Sequence, residues 1–282
     1  MNLKEALREG ALLIHKAGSD EAQVEAELIL RHTLYLDRVH LYQRLQDRLT
    51  DEEQETFQRL LNRRLAHEPT AYILGHREFF GLEFEVTPAA IIPRPETETL
   101  VELVIAFARD HGESPVTIAD VGTGSGAIAV SLAHVIPQAQ IIAIDISPEA
   151  LSLAARNARR YGVTDRIHFL CGDLLQPLEA PVDIIAANLP YVRSDDWEAM
   201  PPEIRDHEPR AGLDGGPDGL RVIERLLDQA PARLNPTGAL FPEIGDEHGG
   251  AARALARKAF PCAEIEVKRD LAGMDRVLVI RN

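Results

Sequence analysis

Asp183-Ile184-Ile185-Ala186-Ala187-Asn188-Leu189-Pro190-Tyr191 is the stretch on which the reading of this chain turns. An apolar run of strand length that stops on Asn predicts a buried strand with the Asn side chain at the carboxyl edge of a sheet. Pro190 has no N–H and a fixed φ, so its carbonyl is held in one direction. Tyr191 offers a flat aromatic face. Two acceptors and an aromatic surface suit a planar NH2 group. Such a nitrogen is a poor nucleophile because its lone pair is delocalised. Hydrogen bonds from its N–H groups to the Asn188 oxygen and the Pro190 carbonyl would raise its electron density and aim it at an electrophilic methyl group. The proton leaves during or after transfer, so no strong general base is required. Read alone, Asn-x-Pro-Tyr is also an ordinary turn; its surroundings decide.

Upstream, apolar strands are predicted at Val116 to Val121, Ile141 to Ile144 and Ile167 to Leu170, with helical stretches between them. With Val182 to Ala187 they predict an α/β fold with a doubly wound, mostly parallel sheet. Ile265 to Val267 and Val277 to Ile280 are too close for a crossover helix, which predicts an antiparallel final pair. That ending suits a methyltransferase better than a dehydrogenase.

The first strand runs into Asp120-Val121-Gly122-Thr123-Gly124-Ser125-Gly126, with a helix from about Ala127. Glycines there permit a sharp turn and bring backbone N–H groups close to a ligand. Asp145 ends the next strand, where a carboxylate can accept both hydrogens of a ribose diol. The pair describes a nucleoside site, and the glycine spacing alone admits NAD as well as S-adenosylmethionine. Two features favour the latter. Asp120 would meet a pyrophosphate with negative charge, yet could orient an amino-acid moiety or the loop itself. Asp173, in Cys171-Gly172-Asp173-Leu174, could accept from an adenine amino group, although a loop cap is an equal reading.

The N-terminal 65 or so residues read as three amphipathic helices. Leu3, Leu7, Leu12 and Leu13 recur at helical spacing; Val24, Leu28 and Ile29 follow a cap at Ser19 or Asp20; Thr50 and Glu53 make a capping-box pair ahead of Phe57, Leu60, Leu61 and Leu65. Nothing in them looks catalytic. Phe79-Phe80-Gly81-Leu82, with Phe84 and Val86 alternating with Glu83 and Glu85, predicts a β-hairpin, and a helix is predicted from about Glu96 to Asp110. The expected domains are 1–72, a helical docking domain; 73–95, a hairpin linker; and 96–282, the catalytic domain.

The composition is that of a globular protein, 45% hydrophobic and 27% charged, and no apolar run is long enough for a membrane span. The net charge is −15; residues 1–110, with 13 Lys and Arg against 20 Asp and Glu, hold −7 of it. Acidity spread along the chain disfavours phosphate backbones, so direct nucleic-acid binding is not expected. The N-terminus lacks a signal peptide, and Cys171 and Cys262 read as buried thiols in a reducing compartment, so a cytoplasmic location is expected. The ten histidines form no ligand cluster and no metal is indicated. Arg94, Glu96 and Glu98 are candidates for the mouth of the cofactor pocket. Glu208 and Arg210 either order the loop after the reacting edge or pair with each other. Glu243 ends the strand Ala239-Leu240-Phe241 with no assigned part.

Taken together, the chain resembles the protein-(glutamine-N5) methyltransferases that modify bacterial peptide-chain release factors. The resemblance rests on Gly75-His76-Arg77-Glu78-Phe79-Phe80-Gly81, Ile92-Pro93-Arg94-Pro95-Glu96-Thr97-Glu98, the glycine loop, Asn188 to Tyr191, His207-Glu208-Pro209-Arg210 and Gly215-Gly216-Pro217-Asp218-Gly219-Leu220. Leu189 departs from that family's Asn-Pro-Pro-Tyr. The resemblance implies a Rossmann-like class I methyltransferase with a mostly parallel seven-stranded sheet behind a small all-α domain. It implies transfer of a methyl group from S-adenosylmethionine, leaving S-adenosylhomocysteine, to the glutamine of a Gly-Gly-Gln loop in class-one release factors. That loop would insert between the domains, the helical one helping to grip the partner, and the enzyme would be a monomer. Asp120, Gly122, Thr123, Gly124, Ser125, Gly126, Asp145, Asp173, Leu174 and Asn188 are the expected cofactor contacts. Asn188, Leu189, Pro190 and Tyr191 are the expected acceptor contacts, with Asn188, Pro190 and Tyr191 acting on the reacting nitrogen. Competing readings are a methyltransferase for the exocyclic amine of adenine or cytosine, an NAD enzyme or nucleotide sensor, and an adaptor that binds release factors without modifying them.

Overall fold

A computed structural model describes residues 1–110 and 114–282. They form two compact units, Met1–His76 with Pro201–His207, and Arg77–Met200 with Glu208–Asn282.

The first unit is helical: α1 (Leu3–Lys16), α2 (Ala22–Leu34), α3 (Arg38–Gln43), α4 (Asp51–Leu65) and α5 (Thr70–Leu74), joined by the one-turn α9 (Pro202–Arg205). The predicted capping box is present: Glu53 N donates to Thr50 Oγ1 at 3.2 Å while Thr50 N donates to Glu53 Oε2 at 2.8 Å. Asn2 and Glu5 form a second one on α1. The inward face of α1 differs from the leucine pattern. It runs through Leu3, Ala6, Leu7, Gly10 and Ile14, while Leu12 and, on α2, Val24 face solvent. Small residues there admit Phe57 of α4, whose ring would meet a Cβ on Gly10 at 3.1 Å. Neither Ser19 nor Asp20 caps α2, which starts behind Glu21 without a side-chain cap. α3 and α5, only 6 and 5 residues long, are too short to leave a periodic signature.

The predicted hairpin, β1 (His76–Phe79) and β2 (Leu82–Glu85), belongs to the second unit from Arg77 onward. Its two-residue turn, Phe80-Gly81, has φ of 52° and 73°, the sense that matches strand twist. Then come α6 (Glu98–Asp110), β3 (Val116–Val121), α7 (Ala127–Val135), β4 (Ala139–Asp145), α8 (Pro148–Arg160), β5 (Ile167–Cys171) and β6 (Val182–Ala187). A small ladder of β7 (Val192–Arg193) and β8 (Asp214–Gly216) follows, then α10 (Arg221–Gln229), β9 (Leu234–Pro242), α11 (Gly249–Ala259), β10 (Glu264–Arg269) and β11 (Asp275–Arg281).

The large sheet has seven strands in the order β10-β11-β9-β6-β3-β4-β5. β9, β6, β3, β4 and β5 pair in parallel, and β11 and β10 are antiparallel, as the short final connection required. Period-two alternation buries both faces. Ile184 and Ala186 enter one core with residues of α6 and α7; Ile185 and Ala187 enter the other with residues of α10 and α11. The cysteine expectation fails. Cys171 closes edge strand β5 and Cys262 lies in the turn after α11, and both are exposed.

Candidate active site

From β3 the chain steps outward to β4 and β5, then returns to β6 on the other side of β3. This reversal opens a crevice at the carboxyl ends of β3 and β6, the place where doubly wound sheets bind ligands. Register puts the ends in one row, with Val121 beside Ile144 and Ala187, and Ala187 beside Pro242. Gly122, Asp145, Asn188 and Glu243 therefore lie at the carboxyl ends of four neighbouring strands.

A cavity of about 400 Å³ occupies the crevice. Gly122, Gly124, Asp145, Asp173, Leu174, Asn188, Leu189 and Pro190 line it; Asp120, Thr123, Ser125, Gly126 and Tyr191 do not. Ala89 to Ile91, Pro209, Ala211, Gly212, Val222 and Arg225 are also part of the wall, with Val121, Ile144, Ile146, Ser147, Ala150 and Gly172. Sequence reading did not assign these to a ligand, although the Ile-Pro-Arg-Pro and His-Glu-Pro-Arg motifs flank two of the loops.

The glycine loop hangs from strand β4. Gly122 N and Thr123 N both donate to Ile144 O, at 2.8 and 2.9 Å. Asp145 accepts from Gly124 N and Ser147 N, each at 2.9 Å, one through each oxygen. A carboxylate has about four acceptor sites, so capacity remains on the cavity side for two ligand hydroxyls. Asp120 is fully buried beneath the loop, where its Oδ2 accepts from Thr123 Oγ1 at 2.6 Å and Ala129 N at 3.1 Å. Burial pushes its carboxyl up to about 7, against those hydrogen bonds. Of the two parts the sequence allowed it, the geometry matches the one that orders the loop. Gly126, with φ of 80°, belongs to packing: a Cβ there would lie 2.9 Å from the Ala154 Cβ. Asp173 faces the cavity while bonded to Arg225 and to Gln176 Nε2.

On the opposite wall Asn188 Nδ2 donates to Thr97 Oγ1 at 3.0 Å, and Thr97 is itself buried. The amide thus spends a donor inward and keeps Oδ1 as an acceptor. Gly215 supports the segment from below: a Cβ on it would come within 2.7 Å of Pro190 O, so only glycine leaves that carbonyl uncovered. Gly219 lies against Tyr191 O in the same way. The Gly-Gly-Pro-Asp-Gly-Leu motif therefore serves as a cradle for the tetrapeptide. The half-buried Tyr191 donates its hydroxyl to Glu243 Oε1 at 3.1 Å, and burial pushes the phenol well up.

Two motifs meet in the loops above the cavity. Glu208 is buried and accepts from Ile92 N at 3.1 Å and from Arg94 Nη2. Arg210 pairs instead with Asp214 and lies 4.9 Å from the Trp197 ring centroid, so it does not pair with Glu208. Glu98 accepts from Phe80 N at 2.9 Å and Glu96 is exposed. Among the described residues no group of His, Cys, Asp and Glu is placed to hold a metal ion, and no helix is long and apolar enough to cross a membrane.

Residues 5–75 match the PrmC N-terminal domain and residues 118–209 a methyltransferase domain. A release factor glutamine methyltransferase from Moorella thermoacetica is 43% identical over 277 residues, covering 98% of this chain and 97% of that one. One from Geobacter sulfurreducens is 40% identical over 93% of this chain and 90% of its own length. Among solved structures, a ribosomal protein L11 methylase from Lactobacillus delbrueckii covers 69% of this chain and 83% of its own, with a TM-score of 0.50 and 22% identity. A Thermus thermophilus 16S rRNA N2 G1207 methyltransferase, in complex with AdoMet and guanosine, covers 73% of this chain and 49% of its own, with a TM-score of 0.52 and 19% identity. At those identities the two structures speak for the fold alone.

Proposed function

The chain belongs to the release factor glutamine methyltransferase family, and we propose that it transfers a methyl group from S-adenosylmethionine to the side-chain amide nitrogen of the Gly-Gly-Gln glutamine in class-one release factors. The observation that carries this reading is the Asn188 amide, whose inward hydrogen bond to Thr97 leaves its oxygen to accept on a wall shared with Asp145.

The residues present fit the cofactor. Asp145 has acceptor capacity left for a ribose diol. Gly122 has no Cβ where one would lie 2.9 Å from the Leu189 side chain, so the loop and the reacting edge approach closely. Leu174 and Val222 supply apolar wall for a base, and Asp173 supplies an acceptor. Bound there, S-adenosylmethionine supplies a methyl group on a positively charged sulfur. Asn188 Oδ1 and the Pro190 carbonyl accept the two amide hydrogens, which concentrates charge on nitrogen and fixes its direction of attack. Tyr191 limits the plane of the amide. Asp120, Thr123, Ser125 and Gly126 act through loop geometry. Leu189 is buried, so in place of the family's proline it contributes packing. The helical unit serves as the docking domain, 73–95 as linker and 96–282 as the catalytic domain. The enzyme works as a cytoplasmic monomer without direct nucleic-acid or membrane contact.

The test offers labelled S-adenosylmethionine with three acceptors in parallel: a purified class-one release factor, its loop Gln→Glu variant, and bacterial DNA with ribosomal RNA. Label on the unaltered factor alone is expected. Label on nucleic acid, with none on the factor, would overturn the assignment in favour of an exocyclic-amine methyltransferase.

A further inference from the structure

Glu243 is fully buried at the end of β9, between Pro242 and Ile244. A carboxyl in that position is costly unless its hydrogen bonds are used. Its backbone N donates to Ala187 O at 2.8 Å, which clamps it beside the first residue of the reacting edge. Among the described residues no cationic nitrogen lies within ion-pair distance of it. Arg276 acts on it from farther away, with its own Nε bonded to Asp270 at 3.0 Å. Tyr191 donates to Oε1 at 3.1 Å. The Thr97 hydroxyl is near enough to draw the carboxyl's pKa down, and Oε2 is left without an aligned hydrogen-bond partner among the described residues. Thr97 in turn accepts from Asn188 Nδ2 at 3.0 Å.

We infer that Glu243 is a positioning residue for the methyl acceptor: its buried carboxyl holds Tyr191 directly and sets the direction of the Asn188 amide through Thr97. This inference rests on the function proposed above and adds the group that orients its acceptor edge. A threonine hydroxyl has a single hydrogen. With that hydrogen turned to the carboxylate, its lone pairs face Asn188, the amide donates inward, and Oδ1 is left facing the acceptor. An amide at position 243 can accept through its single oxygen toward either Tyr191 or Thr97, and must donate toward the other. The Thr97 hydrogen is then free to turn toward Asn188, and a flipped amide would meet an incoming NH2 group with a second NH2. Neither Asn188 nor Tyr191 needs to change for the edge to lose its preference.

The inference gives activity a pH dependence of defined sign. Burial, with Glu96 assisting, pushes the Glu243 carboxyl up to about 7, against Thr97, Tyr191 and Arg276. Arg94 also acts on Tyr191, and His248 packs beyond Gly245 on the tyrosine's other side. Below that range the protonated carboxyl can itself donate to Thr97, so turnover rises with pH as Glu243 ionises. Asp120 titrates in the same range but is unchanged in a Glu243 variant, which separates the two.

The test compares wild type, Glu243→Gln, Thr97→Val and Thr97→Ser in methylation of a purified release factor, with S-adenosylmethionine affinity by calorimetry and a melting curve for each. Glu243→Gln and Thr97→Val should lower kcat at least tenfold with cofactor affinity within about threefold of wild type, a loss of the size expected for a misdirected hydrogen bond. Thr97→Ser, which keeps the hydroxyl, should stay near wild type. The rise of kcat through neutral pH should flatten in Glu243→Gln. Wild-type kcat and pH profile in Glu243→Gln would overturn the inference, as would kcat and cofactor affinity falling together. Should Glu243→Gln not fold, the Thr97 pair decides: equal activity of Val and Ser overturns it. A wild type that leaves the release factor unmethylated would overturn the proposed function itself, and with it this inference.

Discussion

Asn188 Nδ2 donates to Thr97 Oγ1 at 3.0 Å across 91 residues of sequence, tying the reacting edge to the Pro-Arg-Pro-Glu-Thr run. This bond gives that run a place in the site: with Nδ2 bonded to Thr97, Oδ1 is the end of the Asn188 amide left without a partner among the described residues. Asp145 and Thr97 accordingly lie on different elements, the end of a strand and a helical turn.

Asn188→Ala should therefore separate the two. Turnover should fall by about 100-fold or more, the scale for losing a group aimed at the reacting centre. Cofactor binding should be only partly weakened, since Asp145 and the glycine loop are untouched. Single-turnover methylation alongside calorimetric titration measures both. Parallel loss of the two would place Asn188 in binding alone.

Asp145→Ala removes the proposed ribose acceptor and the tether of Gly124 N and Ser147 N together. Cofactor affinity should fall by about 30-fold or more, equivalent to about 2 kcal/mol or more. Titration of the variant with S-adenosylhomocysteine reads this without turnover. Unchanged affinity would remove Asp145 from the site.

Two glycines of the loop, Gly124 and Gly126, should differ. Gly126→Ala puts a Cβ 2.9 Å from the Ala154 Cβ and 3.1 Å from its Cα, at φ of 80°, and a backbone neighbour cannot yield cheaply. A loss of about 2–4 kcal/mol is expected in urea unfolding. Gly124→Ala, with φ of 55° and its nearest neighbour 3.6 Å away, should cost about 1 kcal/mol in stability, with its larger effect on cofactor affinity.

Asp120 gives the fold a pH signature. Its folded value is raised from 3.8 to about 7, so between those values the folded state holds a proton that the unfolded state has lost. That contribution to stability is complete below 3.8 and disappears as pH rises through about 7. Asp120→Asn should consequently lose less melting temperature than wild type between pH 5 and pH 8. Equal losses in calorimetric scans would show that Asp120 does not titrate in that range.

Much of this was legible in the sequence because it depends on local pattern. The apolar runs of β3, β6 and the final pair, the Thr50 capping box, and the glycine turn into α7 each carry their cause in neighbouring residues. Leu12 and Val24 misled because helical spacing does not tell an inward stripe of small residues from an outward one of leucines. The exposure of Cys171 follows from its place on an edge strand, and strand order is a long-range property. The candidate site divides in the same way. Asn188 and Asp145 end apolar runs and are visible as such. Glu243 also ends a run, but its connection to Tyr191 and Thr97 requires β9 to lie beside β6. Glu208 and Arg94, 114 residues apart, needed the same knowledge.

The central claim is the identity of the methylated atom, and peptide mass spectrometry tests it most directly. A purified class-one release factor, incubated with this protein and S-adenosylmethionine and then digested, should show the mass of one added methylene on the Gly-Gly-Gln glutamine, with fragment ions placing it on the side-chain nitrogen. Asn188→Ala should leave that peptide unmodified. An unmodified glutamine after incubation with the wild-type protein, or a methyl group on any other residue, would contradict the account.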